Sequence, residues 1–212
     1  MKTSIPTLTT ITLLVAGSAT GLFATDSEED DARKWAFSAY AYTYFPPEED
    51  VYVQPTFTAD RDWLHLEARY NYEALDTGSV WAGYNFGGGQ KVTWSITPML
   101  GGVFGDTSGV APGYEGSVSW WWLELYSEGE YLFSTGDSSE SFFYNWSELT
   151  LAPVDWVRFG LVTQRTRAYE SDREIQRGLL LGFSWRMTSL TGYVFNPDDS
   201  DPTWLVAFGI DF

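Results

Sequence analysis

The single histidine of the chain lies in His65-Leu66-Glu67, with Arg69 two residues further on. A carboxylate at that spacing can orient an imidazole and strengthen it as a general base. A nucleophile within reach of such a base is the other half of the device, and none is supplied: no serine stands at the matching position, and Cys is absent. The expectation is a histidine satisfied by its neighbours, with no enzymatic activity. One His and no Cys also exclude the usual transition-metal sets, so neither a metal nor a cofactor is expected. Asn196-Pro197-Asp198-Asp199-Ser200-Asp201 offers oxygens suited to a hard cation. Its spacing matches no calcium loop, and an acidic run is ordinarily a solvated one. Gly87-Gly88-Gly89 reads as a turn, because no helix follows it to cradle a phosphate.

The remaining chemistry is ionic. Glu67, Arg69, Glu124, Glu148 and Arg158 carry opposed charges able to pair in a confined space. Arg165, Arg167 and Arg177 form a second group, and planar guanidinium ions suit phosphate oxygens. The formal net charge of −17 excludes the basic footprint of a nucleic-acid binder.

These side chains must be held by strands. From Lys34 onward apolar residues recur with a period of two, in segments of roughly ten residues cut by turn signals. Twelve strands can be marked, and ten are compatible with the same periodicity. Over Trp63–Glu73, Leu64, Leu66, Ala68, Tyr70 and Tyr72 share one face. His65, Glu67, Arg69, Asn71 and Glu73 share the other. A loop is expected over Gly105–Gly113, a strand over Tyr114–Tyr126, and a turn at Ser127-Glu128-Gly129. That turn is the weak point, since Trp120–Phe133 also reads as one strand. The three tryptophans at 120–122 suit either an interface girdle or a constriction of the interior. A soluble sandwich also alternates, but the polar face here mixes Ser, Thr, Gly, Asn and opposed charges, as an enclosed interior would. Aromatic residues make up 18% of the chain, with 11 Trp, and Trp and Tyr favour the water–lipid boundary.

Residues 1–24 read as a signal peptide: Lys2 precedes an apolar segment opening at Ile11, with small-residue cleavage sites after Ala19 or Ala24. Residues 25–33 form a short acidic lead-in, and 34–212 form the β domain. Links alternate between short and long, and the longer set carries most of the acids.

At the end of the chain Trp204, Val206, Phe208, Ile210 and Phe212 alternate with Leu205, Ala207, Gly209 and Asp211. This resembles the terminal strand of bacterial outer-membrane β-barrel proteins. The resemblance implies an all-β, transmembrane, antiparallel up-and-down barrel of porin-like architecture in the outer membrane. It also implies recognition of the last strand by the barrel-assembly machinery. Lipid-modifying members that resemble the outer-membrane phospholipase place His and Ser two apart on the lipid side; here Glu67 takes that place, on the face opposite lipid. On this reading His65, Glu67, Arg69, Glu124, Glu148 and Arg158 face the lumen. Arg165, Arg167 and Arg177 lie at outer strand ends, in the phase of Phe159, Leu161, Leu179 and Leu181, where they contact lipopolysaccharide phosphates or pair with Glu170, Asp172 and Glu174. The expected role is a narrow channel or substrate-binding pore for small polar solutes. The alternative is a non-conducting structural or surface-interaction barrel that works through its acidic outer loops.

Overall fold

The computed structural model describes residues 34–47, 49–136, 141–168 and 174–212, with the backbone alone at 166–168 and 174. The signal segment 1–24 and the acidic lead-in 25–33 lie outside the described residues. All regular structure among the described residues is strand: β1 (Ala36–Phe45), β2 (Tyr52–Arg61), β3 (Leu64–Tyr70), β4 (Thr77–Tyr84), β5 (Phe86–Gly89), β6 (Val92–Gly105), β7 (Gly109–Trp120), β8 (Leu123–Ser134), β9 (Phe142–Val154), β10 (Val157–Ala168), β11 (Glu174–Trp185), β12 (Thr188–Phe195) and β13 (Thr203–Asp211).

Each strand pairs antiparallel with its chain neighbour, and β1 pairs with β13, Ala39 opposite Ile210 and Tyr44 opposite Leu205. β4 and β5 both pair with β6 and keep one register, Gly83 opposite Met99 and Phe86 opposite Ile96. They are one stave interrupted at Asn85, so the sheet closes as a barrel of twelve staves with no free edge. Closure leaves no sheet edge with a row of unpaired backbone groups, which is what allows strands to stand in lipid.

The pleat sorts the side chains. In β3, Leu66, Ala68 and Tyr70 are exposed while His65, Glu67 and Arg69 are buried. In β13, Trp204, Val206 and Phe208 point out and Leu205 and Ala207 point in. The outer surface is thus apolar strand by strand, the reverse of a soluble sheet. Inside, Tyr44, Tyr144, Trp146, Tyr193, Phe195 and Leu205 form one aromatic cluster. Trp81, Met99, Val103, Ala111 and Leu132 form another.

One rim is made of two-residue turns: Asp62-Trp63, Gln90-Lys91, Trp121-Trp122, Asp155-Trp156 and Arg186-Met187. Asp62, Trp121 and Arg186 each hold positive φ at the first turn position (55°, 60° and 55°), as the primed turns that match strand twist require. The links at the other rim are longer, 71–76 and 196–202 among them.

Three expectations are corrected. The turn between the sixth and seventh staves, β7 and β8, is at Trp121-Trp122, and β8 runs straight through Ser127-Glu128-Gly129. The long loop at Gly105–Gly113 shrinks to 106–108, Gly105 turning at φ 126° and Gly109–Gly113 joining β7. Glycines in a run favour a loop in isolation, but here they are paired on both sides. The third correction is Tyr72. Asn71 takes φ 57°, which breaks the alternation after β3, and Tyr72 turns into the lumen. The three tryptophans at 120–122 are all exposed at the short-turn rim and constrict nothing. Trp35, Trp63, Trp156 and Trp185 join them there, also exposed.

Candidate functional site

The lumen is organised by two arginines. β3 aims His65, Glu67 and Arg69 inward on successive alternate positions. Arg69 donates from Nε to Glu67 Oε1 and from one terminal nitrogen to Glu67 Oε2, both at 2.8 Å. Its other terminal nitrogen donates to Glu130 on β8 at 2.9 Å. The guanidinium plane lies between the rings of Tyr72 and Trp81, 4.2 and 4.6 Å from their centroids. Such a fork fixes the charge in place, which a lysine could not do.

The second centre is Arg158 on β10. It donates to Glu148 at 2.6 Å, to Thr191 at 3.2 Å and to the Tyr193 hydroxyl at 3.3 Å. Tyr193 and the Trp146 indole in turn each donate to Glu148 Oε1 at 3.0 Å. Glu148 is therefore saturated by donors and its charge is matched.

Other carboxylates share these cations or have none: Glu115 lies 3.8 Å from an Arg69 terminal nitrogen that already serves Glu67. Glu128 accepts from the Tyr72 and Tyr126 hydroxyls at 2.5 and 2.6 Å. Glu115 sits directly opposite Glu128 in the β7–β8 ladder, where like charges repel. Glu124 accepts from Ser119 at 2.8 Å. Glu73, in the link after β3, is buried with both oxygens unpartnered, and burial pushes its carboxyl above the ordinary range. Asp60 on β2 accepts from Asn85 at 2.8 Å and faces His65 Nδ1 at 2.9 Å. The inward acids Asp60, Glu67, Glu73, Glu115, Glu124, Glu128, Glu130 and Glu148 thus outnumber Arg69, Arg158 and His65. Between the two centres lies a cavity of about 70 Å³, lined by His65, Glu67, Glu115, Tyr126, Glu128 and Glu148 among others. That is room for a few waters and too little for a sugar ring.

Of the residues expected in the lumen, His65, Glu67, Arg69, Glu148 and Arg158 are buried and Glu124 is half-buried, and they do not form one set. Glu67 with Arg69 and Glu148 with Arg158 are separate pairs, and Glu124 joins neither. A turn expected at 127–129 puts Glu128 and Glu130 out of phase, and Glu115 lies in the expected strand Tyr114–Tyr126, whose inward face the sequence leaves open. The signal was present: Glu124, Tyr126, Glu128, Glu130 and Leu132 alternate without a break. His65, Glu67 and Glu115 also bring ligand atoms within 4.8 Å of one another, a mixed set that a search for several His or Cys passes over.

Arg165 and Arg177 lie in the outward phase of β10 and β11. Arg177 is exposed and donates to Asp198 at 2.6 Å; this neighbour holds the Asp198 carboxyl below its ordinary range. Arg165 is half-buried with its guanidinium carbon 5.7 Å from the Phe143 ring centroid. The Arg167 side chain, and those of Glu170, Asp172 and Glu174, lie outside the described residues.

No protein-family model matches the chain, and no curated protein matches it in sequence. Solved structures do match in fold. The KdgM porin aligns with a TM-score of 0.59 at 11% identity, over 82% of this chain and 99% of that one. The KdgM porin in complex with disordered oligogalacturonate gives 0.62 at 12% identity, over the same shares. At such identities the likeness is one of architecture: the chain folds as a closed, twelve-stranded, antiparallel barrel, similar in fold to those porins.

Proposed function

We propose that the protein is an outer-membrane barrel with a narrow, acid-lined pathway that favours small cations and small polar solutes over anions. The short-turn rim then faces the periplasm and the longer links face outward, the usual arrangement of such barrels. The observation that carries this reading is the excess of inward carboxylates around the central cavity. A twelve-stave lumen is intermediate between filled and open barrels, and here side chains occupy most of it. The oligogalacturonate bound by the KdgM porin is a chain of carboxylates. An acidic lumen repels such a polyanion, so a likeness in fold does not extend to that cargo.

The test is planar-bilayer recording of the folded protein under a salt gradient. Cation selectivity should appear in the reversal potential and weaken in Glu128→Gln. Selectivity for anions would overturn the reading. The tight packing around Arg69 and Arg158 also supports a second reading, a non-conducting barrel whose acidic outer links are its working surface; silence at every voltage would favour it.

Arg165 and Arg177 lie on neighbouring staves in the lipid-facing phase, with Thr163 opposite Arg177 and Arg165 opposite Ile175. With Arg167, they are proposed to contact lipopolysaccharide phosphates. Charge reversal of all three should lower lipopolysaccharide co-purification, and an unchanged yield would discard the contact. The last strand is likewise proposed as the segment that the assembly machinery receives.

A further inference from the structure

The single histidine is placed as a metal ligand would be. His65 is 3% exposed, and its Nε2 has no hydrogen-bond partner. Its Nδ1 faces the Asp60 carboxylate at 2.9 Å. Asp60 is itself fixed by the amide of Asn85, whose oxygen accepts from Thr97 at 2.7 Å. A carboxylate on Nδ1 fixes a proton there and leaves Nε2 as the nitrogen a metal would take, displacing any proton it carries, the outer-sphere arrangement that accompanies most histidine ligands. Nε2 faces two acids. Glu67 Oε2 stands 3.6 Å from Nε2, too far for a hydrogen bond. It is close to the separation of about 3.3 Å between two ligands held at about 2.0–2.1 Å on one tetrahedral ion. Glu115, across the barrel on β7, completes a trio whose ligand atoms all lie within 4.8 Å. Arg69 occupies one lone pair on each Glu67 oxygen, and a carboxylate has about four such positions.

We propose that His65 Nε2, Glu67 and Glu115 form a binding site for one divalent transition-metal ion of the zinc class, with water from the cavity in the fourth position. Two carboxylates and an imidazole that releases its Nε2 proton on binding suit a dication, with Arg69 as a neighbouring cation 2.8 Å from Glu67 and 3.8 Å from Glu115. One nitrogen and two oxygens suit zinc better than magnesium, which prefers an all-oxygen octahedron and keeps its waters. The ion would staple β3 to β7 across the intervening staves. The inference is independent of conduction, and its readout does not require any.

Untagged protein folded in detergent should be titrated with Zn²⁺ and with Mg²⁺ by calorimetry. Because the chain has one His, histidine-selective ¹⁵N labelling reports this imidazole alone. One Zn²⁺ per barrel is expected, with the Nε2 resonance shifting and Nδ1 staying protonated. Mg²⁺ should bind much more weakly. His65→Gln and Glu115→Gln should abolish the one-to-one binding, Asp60→Asn should weaken it about 10- to 100-fold, and Asp198→Asn should leave it intact. The proposal is overturned if folded wild-type barrel takes up no stoichiometric zinc, if the Nε2 resonance does not move, or if His65→Gln binds as wild type. Should a variant fail to fold, the wild-type spectrum still decides.

Discussion

Arg158 and Glu148 show how much depends on one buried charge being matched. Both side chains are nearly sealed, 9% and 7% exposed. Arg158→Ala would strand Glu148 in the lumen wall, and removing one member of such a pair costs about 3–5 kcal/mol. Replacing both by Met should cost far less, since neither charge is then left over. Denaturant unfolding of the barrel in vesicles would separate the two outcomes; equal losses would mean that packing, not charge, dominates. Arg177 and Asp198 are the contrasting case, an exposed pair at the rim. The Asp198 carboxyl titrates below its ordinary range because of Arg177. Its share of stability is therefore complete above the unfolded pKa and fades as pH falls through the folded one. An NMR titration should show the Asp198 midpoint returning upward in Arg177→Gln.

Between neighbouring staves, Trp81 on β4 lies flat over Gly101 of β6, where an added Cβ would meet the indole at 2.4 Å. Gly101→Ala must displace the ring, and with it one face of the Arg69 stack. Overpacking of this kind costs about 1–3 kcal/mol, visible as a lower denaturation midpoint, whereas Gly102→Ala meets nothing within 4 Å and should be neutral. Trp81 also explains what could be read from sequence. Strand identity and facing were legible wherever polar and apolar residues alternate, as in His65-Leu66-Glu67-Ala68-Arg69. They blurred where aromatics occupy both faces or glycine occupies a paired position. Trp120-Trp121-Trp122 hid a turn, because a bulky residue at positive φ is rare. Ser127-Glu128-Gly129 imitated one. Once that turn is misplaced, Glu128 and Glu130 fall out of phase, and the acidic wall they build with Glu115 cannot be seen. The approach of Glu115 on β7 to His65 and Glu67 on β3 had no local signature at all.

For the molecule as a whole, closure makes every stave a central one. A proline at Val206, between β1 and β12, removes a ladder donor with no edge to absorb the loss. Val206→Pro should abolish the heat-modifiable migration of the folded barrel on gels, while Ser200→Pro in the adjoining link should preserve it; folding of both variants would argue that the seam is dispensable. The same closed wall has its indoles gathered at one end. Trp35, Trp63, Trp121, Trp122, Trp156 and Trp185 ring the short-turn rim, and the far rim has Trp204 as its counterpart. Such rings prefer one depth in a bilayer, so a barrel set in a membrane as proposed would be moored at one end and float at the other. In a thinner or thicker membrane the mooring should hold, and the mismatch should be taken up beside the long links, where Arg165 and Arg177 stand.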